Sequence, residues 1–155
     1  MVRVDFFGPR VNNSHMESTN EPPTPGEDFR AAFGAEAGVG VQCFTLYVPN
    51  KDRNDNEFGT QRRWVLEAIN LLSEINGGAT AIPVEGGWVN HDGKLILENP
   101  VVVYSFVVDA ARFLGELPRL RAFLHSLGRE TDQGEIAFEF GDHFYRIRAF
   151  DTSGA

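Results

Sequence analysis

Hydrophobic and polar positions between residues 41 and 150 follow two periods, and the changes of period mark the predicted elements. Residues 41–48 are rich in β-branched and aromatic side chains and predict a strand that ends at Pro49. Residues 60–76 carry apolar side chains three and four positions apart, which predicts a long helix capped by Thr60 and ended by Gly77. The apolar stripe of this helix comprises Trp64, Val65, Ala68, Ile69, Leu72 and Ile75.

The middle of the chain reads as strands again. Residues 79–82 predict a second strand, and Pro83, which cannot donate to a ladder, indicates a sheet edge or a bulge. An Asp92-Gly93 turn signal lies inside residues 84–98 and predicts a hairpin. Residues 101–108 form a nearly continuous apolar run, which is typical of a central strand.

The last third of the pattern predicts a second helical stretch and a closing hairpin. Asp109 is a natural N-cap, and Gly128 is expected to end the stretch. Pro118 lies inside the apolar pattern and predicts a kink or two abutting helices, with the proline near the start of the second. Residues 136–140 and 144–147 alternate clearly around a Gly-Asp turn and predict two paired strands.

The resulting order, β-α-β-β-α-β, predicts an α+β fold: a ferredoxin-like sandwich with an antiparallel sheet, helices on one face and an extra C-terminal hairpin. We expect one domain over residues 41–150 and a short tail over 151–155. Residues 1–40 are polar and proline-rich in their middle and predict a flexible or loosely docked extension, with a partner-binding arm as the alternative.

The sheet face that the helices leave bare is the main open question of this fold. This face is exposed to solvent, covered by the N-terminal extension, or covered by a second subunit. Aromatic residues on the strands favour a homodimer. We expect Phe44, Phe106 and Tyr145 to contribute to that face.

Composition narrows the range of partners. The 155 residues suit one domain with a real core. With 14 Lys and Arg against 22 Asp and Glu, the net charge of −8 disfavours binding to duplex nucleic acid. The start has no secretory signal pattern and no stretch approaches a membrane span, so we expect a soluble, cytoplasmic protein that does not bind a membrane.

Four short segments resemble a family of small, uncharacterised bacterial proteins. They are Tyr-Val-Pro at residues 47–49, the helix start at 61–66, Gly-Gly-Trp at 86–88 and Leu-Gly-Arg-Glu-Thr at 127–131. The resemblance spans roughly residues 41–148 and implies a bacterial, single-domain protein. It implies no particular activity.

Two polar clusters are candidates for a site. Two glycines beside Trp88 indicate a close backbone approach, and Trp88 is a candidate pocket wall with Glu85 at its mouth; the alternative is a twisted strand whose tryptophan packs on a helix. In the second cluster, Arg129 is a candidate anion ligand and Glu130 a candidate general base in apolar surroundings. The alternative for this pair is an ion pair at a helix end. Tyr47 is a further candidate ligand contact.

No sequence motif identifies a known chemistry. The histidines lack metal-ligand spacing, and nucleotide-binding glycine motifs are absent, so no metal site and no cofactor are predicted. Two hypotheses follow. The first is a binding, regulatory or accessory module that self-associates or binds a protein partner through its open sheet face. The second is a small-molecule enzyme with a pocket around Glu85, Trp88, Arg129 and Glu130.

Overall fold

The computed structural model describes residues 30–36 and 41–152, and the chain divides into two units, residues 1–39 and 40–155. The first unit contains a helical turn at residues 30–33, followed by Gly34 with a φ of +59°. The remaining predictions for residues 1–40, and those for residues 153–155, lie outside the described residues.

The second unit alternates strands and helices as the hydrophobic pattern predicts. Its elements, in chain order, are β1 (Gln42–Val48), α1 (Gln61–Asn76), β2 (Thr80–Pro83), β3 (Gly86–Val89), β4 (Leu95–Glu98), β5 (Val101–Val107), α2 (Ala110–Gly115), α3 (Leu117–Glu130), β6 (Ile136–Phe140) and β7 (His143–Ile147). No helix in the described ranges 30–36 and 41–152 has the length and apolar character that a membrane crossing requires.

The main sheet has five strands in the order β2-β5-β1-β6-β7, and every neighbouring pair is antiparallel. The strands β1 and β2, joined by α1, are therefore parallel with β5 between them. In the same way β5 and β6, joined by the second helical stretch, enclose β1. These are two split βαβ units, as the β-α-β-β-α-β prediction requires. The predicted α+β class is confirmed, with β7 as the additional C-terminal strand.

The hairpin β3–β4 forms a separate two-stranded sheet. Its turn contains Gly93 with a φ of +78°, and the side chain of Asn90 accepts backbone N–H groups of Asp92 and Lys94. Such Asx hydrogen bonds stabilise a tight turn. The sequence predicts the hairpin, but not its separation from the main sheet.

One hydrophobic core lies between the sheet and the helices. The β1 side chains alternate in exposure, with Phe44, Leu46 and Val48 buried against the helices. The helix α1 buries the predicted stripe except Ile69, which is partly buried, and it also buries Leu71, which the pattern does not include. Trp64 is 2% exposed. Its indole meets the Phe123 ring edge-on at 5.8 Å. Core packing therefore fixes the position of β1, whose end forms part of the candidate site.

The second helical stretch is broken where the sequence predicts it. The helix α2 begins after Asp109, whose carboxylate accepts the Arg112 N–H at 2.9 Å, and α3 starts with Pro118 in its first turn. The expectation that Gly128 ends the stretch is wrong, because α3 continues to Glu130. A Cβ at Gly128 would lie 2.1 Å from the Phe150 ring, so this glycine provides space for a packed aromatic side chain.

The opposite sheet face exposes apolar side chains. The register places Ile82 and Phe106 on this face, and they are 46% and 54% exposed. The expectation that Phe44 contributes to this face is wrong, since Phe44 is buried on the helix side. Tyr145 pairs with Phe138 and stacks on it, so it also lies on the helix side. Phe106 remains as the predicted aromatic on the bare face.

Candidate functional site

A cleft of about 650 Å³ lies where the C-terminal end of β1 meets the β3–β4 hairpin and the start of β6. This volume is within the usual range for small-ligand sites. Its lining residues are Tyr47, Pro49, Asp52, Arg53, Trp88, Glu98, Pro100, Gln133, Gly134, Glu135, Ile136 and Ala137. The hairpin supplies one wall, and the loop after β1 supplies the other.

Two aromatic side chains in the cleft are oriented by carboxylates. The Tyr47 hydroxyl donates to Glu139 Oε1 at 2.7 Å, and this hydrogen bond, with partial burial, raises the pKa of Tyr47 to about 12. Tyr47 therefore stays protonated at neutral pH. The Trp88 indole donates from Nε1 to Glu98 Oε1 at 2.9 Å while the side chain remains 51% exposed. An ordered and exposed indole is a suitable stacking surface for a flat ligand.

The loop between β1 and α1 is held in shape by Asp52. Its Oδ1 accepts the backbone N–H groups of Asn56 at 2.9 Å and Asn54 at 2.8 Å. The Asn56 N–H, and then that of Asn54, hold the pKa of Asp52 below its usual range, against the opposing effect of desolvation. Lys51 adds an ion pair with Asp55 and a hydrogen bond to the carbonyl of Leu97 in β4. The loop is thus tied to the hairpin across the cleft.

Arg53 joins the same loop to the segment before β6. Its backbone N–H and its Nε both donate to the Asp132 carbonyl, at 3.0 and 3.3 Å. Its Nη2 donates to the Gln133 carbonyl at 3.1 Å and lies 2.8 Å from Asp132 Oδ1. Asp132 adopts a φ of +48°, a conformation that few non-glycine residues adopt. The Arg53 guanidinium is therefore fixed at the cleft wall.

The charges lining the cleft are mostly negative. Three lining residues are carboxylates, Asp52, Glu98 and Glu135, and one, Arg53, is a cation. Glu135 is paired with Arg148 at 3.1 Å, whereas Glu98 forms no ion pair with a described residue. The cation that acts on Glu98 electrostatically is Lys51, which is itself paired with Asp55. An unpaired carboxylate beside an indole favours a cationic ligand group at this position.

The structure brings two of the candidate site residues together and separates the others. Tyr47 and Trp88 both line the cleft, while Glu85 is exposed just before β3 and is not a lining residue. Arg129 donates to the Asp151 carbonyl and to Ser126 Oγ. Glu130 lies 3.4 Å from Arg63 in α1 and is half-exposed. The roles proposed for these five residues stay predictions.

Glu98 and Arg53 were not among the sequence candidates. Both are ordinary charged residues in polar stretches, and their importance comes from partners distant in sequence. Arg53 contacts Asp132 and Gln133, about 80 positions away. Glu98 faces Trp88 because the hairpin register pairs Trp88 with Ile96 and Gly86 with Glu98. A diagonal contact across the predicted hairpin was the one available signal for Glu98.

A second cleft of about 710 Å³ lies between α3 and the residues around β7. Its lining is mainly apolar, and three of its four basic side chains, Arg121, His125 and Arg148, have hydrogen-bond or ion-pair partners. The fourth, Arg146, lies over the Phe144 ring at 6.0 Å. The His125 Nδ1 accepts the Asp151 N–H at 2.8 Å, and Arg121 forms an ion pair with Asp151. In residues 30–36 and 41–152 no three His, Cys, Asp or Glu side chains are placed to hold a metal ion. The first cleft, with its unpaired Glu98, offers the more specific ligand chemistry.

Comparisons with known proteins show a similarity of fold to solved structures. No family model and no curated protein matches the chain. A phage SAM lyase in complex with S-methyl-5′-thioadenosine is similar at 17% identity and a TM-score of 0.54, covering 74% of this chain and 95% of that one. The apo state of a phage SAM lyase is similar at 18% identity and a TM-score of 0.53, covering 77% and 98%. At these identities the similarity shows a common fold.

Proposed function

We propose that this chain is a small-molecule enzyme, a lyase that binds S-adenosylmethionine in the cleft beside Trp88 and Glu98. The proposal rests on one observation, which is an unpaired carboxylate hydrogen-bonded to an exposed indole in a cleft of ligand size. S-adenosylmethionine carries a positively charged sulfur on one end of its ribose and a flat adenine ring on the other. The indole offers a stacking surface and a cation–π partner, and Glu98 offers the opposite charge. The fold similarity to a phage SAM lyase supports this substrate class.

The reaction follows from the ligand of that neighbour. S-methyl-5′-thioadenosine is what remains of S-adenosylmethionine when the bond from sulfur to the four-carbon amino acid chain breaks. Both electrons of that bond stay on sulfur, which becomes a neutral thioether. An oxygen of the chain's own carboxylate forms the new bond to the released carbon and closes a lactone. One positive and one negative charge are consumed, so the step requires neither water nor a proton.

The described cleft suits a step without general acid or base catalysis. The Tyr47 hydroxyl, with its pKa raised to about 12, acts as a fixed hydrogen-bond donor rather than as a base at neutral pH. The cleft instead holds the adenosyl group against Trp88 and brings the reacting ends of one molecule together. Ordering a flexible substrate in this way lowers the entropic part of the barrier.

The test is the formation of S-methyl-5′-thioadenosine from S-adenosylmethionine, followed by liquid chromatography and mass spectrometry. We expect the purified chain to exceed the protein-free rate, and Glu98→Gln to lower kcat/KM by about tenfold through loss of the charge opposite sulfur. Glu67→Gln, on the exposed side of α1, is the matched control and retains the wild-type rate. A wild-type rate equal to that of buffer contradicts the proposal.

A second candidate function is a binding or regulatory module that acts through the bare sheet face. Ile82 and Phe106 are about half-exposed there, and apolar side chains on an open antiparallel face commonly mark an interaction surface. A second copy of this chain is the partner we propose for that face. Native mass spectrometry of the full chain tests this candidate, since a strictly monomeric protein contradicts it.

A further inference from the structure

Arg53 is the single cation among the residues that line the cleft, and its guanidinium is only partly used. The Nε and Nη2 atoms are bonded to Asp132 and Gln133. Within the described part of the chain, Nη1 has no hydrogen-bond partner. The side chain is 52% exposed, so ligand access to this nitrogen does not require the loop to open.

Three contacts fix the position of this guanidinium. The backbone N–H of Arg53 donates to the Asp132 carbonyl, which also accepts from the side-chain Nε. The next carbonyl, that of Gln133, accepts from Nη2, and Gln133 is itself 7% exposed and donates to the Lys51 carbonyl at 2.7 Å. A fixed guanidinium loses little side-chain entropy when it binds an anion. The free nitrogen is thus a preorganised donor.

Among the described residues that line the cleft, the single cation and the carboxylate that lies beside the indole without an ion pair are on different walls, although Asp52 lies next to Arg53 in the loop. Glu98 lies on the hairpin wall beside Trp88, whereas Arg53 lies on the wall formed by the loop after β1. S-adenosylmethionine carries a sulfonium and, at the end of its amino acid chain, a carboxylate. With the sulfonium beside Glu98, the carboxylate is the substrate group that matches Arg53.

We propose that Arg53 binds the substrate carboxylate through Nη1 and makes the cleft select adenosyl ligands that carry an amino acid chain. The inference rests on the proposed function and adds a specificity-determining residue to it. A single free nitrogen holds one carboxylate oxygen and leaves the other available for ring closure. S-methyl-5′-thioadenosine has lost the carboxylate, so it gains nothing from Arg53 and leaves more readily than a ligand that retains it.

The test compares two stable ligands, one with and one without the amino acid chain that carries this carboxylate. S-adenosylhomocysteine keeps the carboxylate and has a neutral sulfur, whereas S-methyl-5′-thioadenosine has no carboxylate. By isothermal titration calorimetry, Arg53→Gln is expected to weaken S-adenosylhomocysteine about tenfold, as for the loss of a hydrogen bond to a charged group. Binding of S-methyl-5′-thioadenosine is expected to stay within about twofold of wild type. Arg62→Gln, an exposed arginine of α1 outside the cleft lining, is the matched control and changes neither affinity.

A second variant separates recognition from loop structure. Arg53→Lys keeps a cation but loses the fixed fork, and we expect it to weaken S-adenosylhomocysteine less than Arg53→Gln while leaving S-methyl-5′-thioadenosine unchanged. Thermal melts of each variant verify folding. An equal loss for both ligands, or no loss for either, overturns the role of Arg53 while leaving the proposed function in place. If wild-type protein binds neither ligand, the proposed function fails and this inference fails with it.

Discussion

The hydrogen bond between Tyr47 and Glu139 links two strands on the face opposite the helices. Tyr47 in β1 is the donor and Glu139 in β6 the acceptor, at 2.7 Å. The side chains are 92 positions apart in sequence, and only the pairing of β1 with β6 brings them together. The sequence suggests Tyr47 as a ligand contact, but no local pattern indicates its carboxylate partner. Pairings of this kind depend on strand register and cannot be read from neighbouring residues.

This hydrogen bond predicts a stability contribution that is lost at high pH. The hydrogen bond to Glu139 raises the pKa of Tyr47 from its ordinary value of 10.0 to about 12 in the folded chain. The neutral phenol is the form stabilised by folding, so the contribution is complete below about pH 10 and disappears as the pH rises toward 12. Ultraviolet titration is expected to show one of the three tyrosines ionising last. In Glu139→Gln that late component moves to lower pH, and an unchanged titration curve contradicts the assignment.

The burial of Trp64 in the core is predicted correctly by helical periodicity. The spacing of apolar residues places it in the core, and the structure has it 2% exposed against Phe123. We expect Trp64→Ala to lower the free energy of unfolding by about 3–5 kcal/mol because it leaves a large cavity. Leu66→Ala in the same helix, at a side chain 49% exposed, is expected to change it by about 0.5 kcal/mol or less. Urea denaturation measures both, and similar midpoints for the two variants contradict the placement.

The helices and strands differ in how far the sequence determined them. The break before Pro118 follows from the geometry of proline, which suits the first turn of a helix, and it is found there. The prediction that the helix ends at Gly128 is wrong because glycine occurs in helices for two different reasons. Glycine ends a helix when it adopts a left-handed conformation, and it remains inside a helix when another side chain needs the space of its Cβ. Phe150 occupies that space, and no pattern around residue 128 indicates it.

At Gly128 we therefore expect the usual stabilising effect of replacing glycine by alanine in a helix to be reversed. Replacing a mid-helix glycine by alanine normally stabilises a protein by up to about 1 kcal/mol. Here the new Cβ would overlap the Phe150 ring, so we expect Gly128→Ala to destabilise by about 1–3 kcal/mol. Gly115→Ala, where nothing lies within 4 Å of the added atom, is the control and is expected not to destabilise. In a protein that already carries Phe150→Ala, Gly128→Ala is expected to cause no further destabilisation. If thermal melts show that it still destabilises there, this explanation is contradicted.

The two faces of the main sheet could be predicted only in part from the sequence. The β-α-β-β-α-β order predicts a sheet with one face covered by helices and one bare face, and side-chain burial along β1 and β5 alternates accordingly. The face on which an individual aromatic lies does not follow from the sequence, because a one-residue change of register moves every side chain to the other side. For this reason the expected positions of Phe44 and Tyr145 on the bare face are wrong. The hairpin β3–β4, which forms a wall of the cleft, was expected as a pair of strands, but nothing in its pattern separates it from the main sheet.

The bare face leads to a prediction about the assembly of the complete chain. Phe106 is 54% exposed there, next to Tyr104, whose ring it meets edge-on at 5.8 Å. We expect the wild-type chain to self-associate through this face, and Phe106→Glu to give monomers, because the added carboxylate would be desolvated in the contact and would repel an acidic partner. Leu66→Glu adds the same charge at an exposed position of α1 and is expected to leave the assembly unchanged. Native mass spectrometry and analytical ultracentrifugation measure the assembly state, and equal dissociation by both variants would indicate that net charge, rather than this face, controls association.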